Sequence, residues 1–180
     1  MPASDIAEEA GLSHGSFYHY FDSKEQVFRE VAETLETLLT APTDPAVDEP
    51  DPAPDASEYD KLVHANRRYL RRYRDNAEIM GVIEEVSLRR GRQGGSIRRQ
   101  KHFADRAERS IRRLQAAGHA DPEVDAGVAA LALGSMVARS AELWFVEGWA
   151  DYDFDAMADQ LTRLWANAIG LDASSRRSNP

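Results

Sequence analysis

The chain of 180 residues contains no cysteine. That excludes a disulfide framework, thiolate metal sites and a thiol nucleophile together, and it suits a reducing cytoplasm. No signal-peptide pattern opens the sequence. No apolar run reads as long enough to span a bilayer, which takes roughly 18 residues or more, so no membrane partner is expected. The five histidines, His14, His19, His64, His102 and His119, include no pair at metal-ligand spacing with a carboxylate partner. Neither a Gly-x-Ser-x-Gly motif nor another nucleophile motif occurs. The glycine-rich turn Gly91-Arg92-Gln93-Gly94-Gly95 follows no strand and lacks the Gly-Lys-Ser/Thr ending of a phosphate-binding loop. We therefore expect no catalytic residue, no metal and no cofactor. Basic charge is scarce as well: 22 Lys and Arg against 31 Asp and Glu leave a formal net charge of −9. Nucleic-acid binding, if present, must be local and shape-matched rather than a property of the whole surface.

What is present is helical patterning on a hydrophobic fraction of 42%, ordinary for a folded chain. Ile6, Ala7 and Ala10 share one helical face. Gly11 ends that helix, because glycine alone adopts a left-handed backbone without steric cost. Ser13 stands as the N-cap of a second short helix, about His14 to Tyr20, which turns Phe17 and Phe21 inward and His14, Ser16, Tyr18 and His19 outward. Helix, glycine turn and second helix form the arrangement that lays a recognition helix in the DNA major groove. Gly15 allows close backbone approach, and the hydroxyls and imidazoles beside it suit phosphates and base edges. Ser23-Lys24-Glu25-Gln26 has the form of a capping box and opens a third helix, with Val27, Phe28, Val31, Leu35 and Leu38 along its stripe to about Thr40.

Residues 41–57 hold five prolines and five acids. Proline forbids a continuing helix and the acids repel, so an extended, mobile loop is expected. The next helix, Glu58 to Asn76, has a seam of Tyr59, Leu62, Val63, Asn66, Tyr69, Leu70 and Tyr73. Its other face carries Arg67, Arg68, Arg71, Arg72 and Arg74, read as a solvated face pairing with the acidic loop just upstream. Ala77 to Leu88 turns Ile79, Val82, Ile83 and Val86 inward. Ser96 caps a long helix ended by Gly118, and Asp121-Pro122 opens another. Val124 to Val146 is apolar nearly all round, so burial on several sides is expected. Phe154 to Ile169 is cleanly amphipathic, and residues 173–180 read as a disordered tail.

Asp5 to Phe28 resembles the DNA-binding signature of TetR-family transcriptional repressors. The Ile-Ala pair, the Ala-Gly turn, Ser13, Gly15-Ser16, the Phe-Tyr pair, Phe21 and Ser23-Lys24-Glu25 all agree with it. The resemblance implies an all-α protein: a helix-turn-helix head at residues 1–40, then a helical-bundle ligand-binding and dimerisation domain at residues 58–172. It implies a homodimer formed through the last two helices, a palindromic double-stranded DNA operator as partner, and release by a small-molecule effector. Carried over by position, Ser13, Tyr18 and Lys24 resemble phosphate contacts, while His14, Gly15, Ser16 and His19 lie where base edges are read. Tyr69, Met80, Ile83, Phe103, Met136 and Trp144 are candidates to line a mostly apolar effector pocket. The sequence departs from the family in one respect: the helix that normally precedes this motif is missing, and the first 40 residues carry Lys24 and Arg29 against eight acids, a net −6. Weak operator binding is the expectation from that departure, and the alternative function is a dimeric ligand- or partner-binding protein that has lost its operator.

Overall fold

A computed structural model describes residues 11, 13, 18–89 and 95–171, without the side chains of residues 87–89 and 95–103. The protein is all-helical, and no strand occurs among the described residues. The helices are α1 (Lys24–Thr40), α2 (Glu58–Asp75), α3 (Ala77–Arg89), α4 (Gly95–Ala116), α5 (Ala126–Phe145) and α6 (Phe154–Ala168), and residues 18–20 are also helical. Internal contacts divide the chain into two units, Met1–Leu38 and Leu39–Pro180.

In the smaller unit the expected turn and cap are both formed. Gly11 has φ +67°, the left-handed value that ends a helix. The Ser23 hydroxyl accepts the Gln26 amide at 3.2 Å, and the Gln26 side chain reaches back to the Asp22 amide at 2.7 Å. Two orphan donors at the start of α1 are thus satisfied reciprocally, one residue earlier than the ideal box. The buried stripe of α1 is Ala32, Leu35 and Leu39, while Val31 and Leu38 stay at the surface. Leu35 holds its expected place, and Ala32 and Leu39 take the places expected for Val31 and Leu38.

The larger unit is built around α5, which touches α2, α3, α4 and α6 and packs most extensively on α4. Small residues permit this: Ala126, Ala129, Ala130, Gly134 and Ala141 are buried along it. The cap differs from expectation. Asp125, not Asp121, accepts the Val128 amide at 2.9 Å, and Asp121 folds back onto the Glu123 amide in a turn of its own. Gly170 explains why Asp121 is engaged elsewhere. Its φ is +61°, a Cβ there would meet the Asp121 Cβ at 2.8 Å, and the Asp121 amide bonds the Ile169 carbonyl. In α3 the inward pair is Met80 and Ile83; Ile79 and Val82 face solvent, correcting the expected register. By length and composition α5 could cross a membrane, contrary to the expectation that no apolar run is long enough. Here it is the shared wall of a helical unit, and it carries Arg139 and Glu142 as an ion pair.

Residues 41–57 do not stand away as a mobile spacer. The Asp48 carboxylate pairs with the Arg72 guanidinium, and both side chains are buried. Arg72 also donates to the carbonyls of Ala41 at 2.9 Å and Pro42 at 3.0 Å. Glu49 meets Arg71 at 2.7 Å, and Asp51 meets His64 at 3.3 Å and Arg68 at 3.5 Å. Acids that repel one another in the sequence find cations of α2, as the charge pattern allowed. Arg72, expected on a solvated face, is the buried anchor of the loop.

Candidate DNA-binding head and effector cavity

The head residues follow from the turn at Gly11 and the box at Ser23. Ser13 is exposed beyond the glycine, Tyr18 and His19 are exposed on the helical segment 18–20, and Lys24 is exposed in the first turn of α1. Their chemistry is hydroxyl, phenol, imidazole and ammonium, all able to reach phosphate oxygens. His14, Gly15 and Ser16, the other expected base-reading positions, lie outside the described residues, as does Phe17. Tyr20, which the sequence reading passed over, is 65% exposed and meets the His19 ring edge-on at 5.3 Å. Its place between Phe17 and Phe21, both expected to face inward, hid it.

Within the larger unit, α2, α4, the last residues of α1 and the end of α6 enclose a cavity of about 560 Å³. That size falls in the range of small-molecule sites. Its inner wall is apolar: Leu62 from α2, Ile111 and Leu114 from α4, Val137 from α5, Trp165 from α6, and Ile169. One polar strut crosses the wall, from the Asn66 side-chain amide to the Thr162 hydroxyl at 3.0 Å, which in turn donates to the Ala158 carbonyl at 2.8 Å. Both groups are buried and bonded to each other, which helps hold α2 against α6. The Tyr69 phenol also lines the cavity, and burial pushes its pKa well above the ordinary value, with Glu84 adding to the shift. It stays neutral.

Of the pocket residues expected from the sequence, Tyr69 lies in this cavity. Met80 and Ile83 are buried core, and Met136 is half-buried; neither these nor Trp144 is in the cavity wall. Trp144 instead stacks on Phe145 at 4.2 Å and on Phe154 at 5.9 Å, and Arg74 lies over the Phe154 ring at 4.9 Å. The Phe103 side chain lies outside the described residues. The sequence reading missed the arginines of α4. Arg106, Arg109 and Arg113 recur at three- and four-residue spacing beside Ala107, Ile111 and Leu114, and all of them line the cavity. That interleaving of a basic stripe with an apolar one was the available signal.

Among the described residues no group of acids and histidines could hold a metal. Residues 1–31 match the sequence model of the tetR family of bacterial regulatory proteins. No curated protein matches the chain. Among solved structures, the TetR family transcriptional regulator PfmR from Thermus thermophilus is similar, with a TM-score of 0.66 at 20% identity over 94% of this chain and 89% of that one. A tetR-family regulatory protein from Rhodococcus RHA1 gives 0.65 at 19% identity over 96% and 87%. The fatty acid degradation regulator FadR from Bacillus halodurans gives 0.63 at 17% over 91% and 86%. Residues 1–31 thus carry the sequence signature of the tetR family, and the described residues share the all-helical fold of these solved structures.

Proposed function

We propose that the protein is a homodimeric repressor that binds a palindromic operator and leaves it when a small, mostly apolar effector enters the larger unit. The observation that carries this reading is the pairing, in one chain, of a tetR-family head sequence with a cavity of effector size in the unit that follows. Ser13, Tyr18 and Lys24 are assigned to phosphates, and His14, Gly15, Ser16 and His19 to base edges. Phosphate contacts position the head and base contacts supply sequence preference. α1 serves both ends of the function: Lys24 lies in its first turn, and Leu39 and Thr40 at its end line the cavity.

The dimer face is assigned to α5 and α6. Leu161 and Trp165 are buried inside the chain and unavailable to a partner. Val128, Leu131 and Leu164 are 67%, 55% and 52% exposed, and they are the side chains a second copy would cover.

A second reading has one observation in its favour. The net −6 of the first 40 residues opposes phosphate binding, and it fits a dimeric ligand- or partner-binding protein without an operator. Fluorescence anisotropy on duplexes recovered from the regulator's own promoter region separates the two. The repressor reading expects saturable binding, with Lys24→Ala weakening it by about three- to tenfold and lowering its salt dependence. Binding that is absent, or indifferent to Lys24, favours the second reading.

A further inference from the structure

The charges around the cavity are unbalanced. Lys61, Arg68, Arg106, Arg109 and Arg113 line it, and Glu58 is the one acid among the lining residues. This occurs in a chain whose overall charge is −9, so the local excess of cations runs against the composition. Three of the five are already engaged with carboxylates: Lys61 with Glu58 at 2.9 Å, Arg113 with the same Glu58 at 3.9 Å, and Arg68 with Asp51 at 3.5 Å. The other two are not, among the described residues. Arg106 donates to the neutral Thr40 carbonyl at 2.6 Å, and Arg109 makes no ion pair. Both are exposed, while Ile111, Val137 and Trp165, which line the same cavity, are buried.

We propose that this cavity takes an amphipathic anion, an apolar body of medium chain length bearing a carboxylate, with the body against Ile111, Val137 and Trp165 and the head held at the rim by Arg106 and Arg109. Guanidinium groups match the planar, two-oxygen geometry of a carboxylate, and such charge-assisted bonds are stronger than neutral ones. A cationic or head-less ligand leaves these two groups without the partner the rest of the rim already has. The inference rests on the effector reading of the same cavity and names the class of effector.

The test is calorimetric titration of the whole protein, without DNA, with three chain-matched probes: decanoate, decanol and decyltrimethylammonium. Decanoate is expected to bind at least about tenfold more tightly than decanol, and the ammonium more weakly than either. In the double variant Arg106→Gln/Arg109→Gln the decanoate advantage should vanish while decanol binding persists, which shows that the cavity is still folded. Equal affinity for decanoate and decanol, a preference for the ammonium, or an advantage that survives in the double variant would overturn the proposal. If decanol or the ammonium saturates and decanoate does not, the anion assignment falls and the effector cavity stands. Heats that saturate with none of the three remove both.

Discussion

Two parts of the larger unit deal with their awkward surface in opposite ways. Against α2, the acids of residues 41–57 meet arginines of the same chain, down to a buried Asp48–Arg72 pair that also holds two backbone carbonyls. On α5 and α6, Val128, Leu131 and Leu164 stay more than half exposed, although α5 is apolar enough by composition to sit in a bilayer. The charged region is complete within one chain. The apolar region is left open to solvent, and exposed apolar side chains of this kind are where a partner surface is proposed. The acidic, proline-rich segment therefore adds internal order here, whereas the plain apolar helix carries the proposed face for a second copy.

The largest effect should come from charging the open face. Val128→Glu with Leu131→Glu is expected to weaken self-association by about a thousandfold, roughly 4 kcal/mol, because each like charge is brought against its symmetry mate. Sedimentation velocity over a concentration series reads it, and an unchanged dimer would move the interface elsewhere. Next comes the closed region. Arg72→Ala leaves Asp48 without its cation and two carbonyls without their donor, at a cost of about 3 kcal/mol in denaturant unfolding, with self-association unaffected. A loss below about 0.5 kcal/mol would show that the loop is held by something other than this pair.

A smaller effect is expected from acid. Burial tends to raise the Asp48 carboxyl, but the side-chain bonds from Arg72 and the Asp44 amide outweigh it, and the pKa lies below the ordinary 3.8. A carboxyl lowered on folding contributes stability above its unfolded value and loses it as the pH falls through the folded one. Melting temperature should thus be insensitive to this pair near neutrality and drop below pH 3.8, and Asp48→Asn should flatten that drop. The smallest effect belongs to a single backbone position. Gly170→Ala places a Cβ 2.8 Å from that of Asp121 at φ +61° and should cost about 1–2 kcal/mol of stability without touching either region.

Signals confined to a few neighbouring residues were readable in the sequence. Gly11, the Ser23–Gln26 box, the α2 span and the Gly118 stop all depend on groups within one turn of the chain. Which face of a helix turns inward was less readable. Ile79 and Met80 are both apolar and adjacent, and only the packing of α3 on α5 decides that Met80 is buried. Arg72 looked like its four arginine neighbours, and its burial depends on a loop 24 residues upstream in sequence, where Asp48 waits. The head was legible because the TetR signature is dense over a short stretch. The cavity was not, since its wall draws Leu62, Ile111, Val137 and Trp165 from four helices far apart in sequence. The choice of Met136 and Trp144 followed residue type alone, and type does not tell an aromatic stack from a pocket wall.

The proposed operator recognition is checked by incubating the protein with a pool of random duplexes, recovering the bound fraction over several rounds, and sequencing it. One enriched motif with inverted symmetry is expected, its half-sites about one or more helical turns apart, as a dimer of recognition helices requires. Enrichment that fails to appear, or a motif without two-fold symmetry, would contradict it.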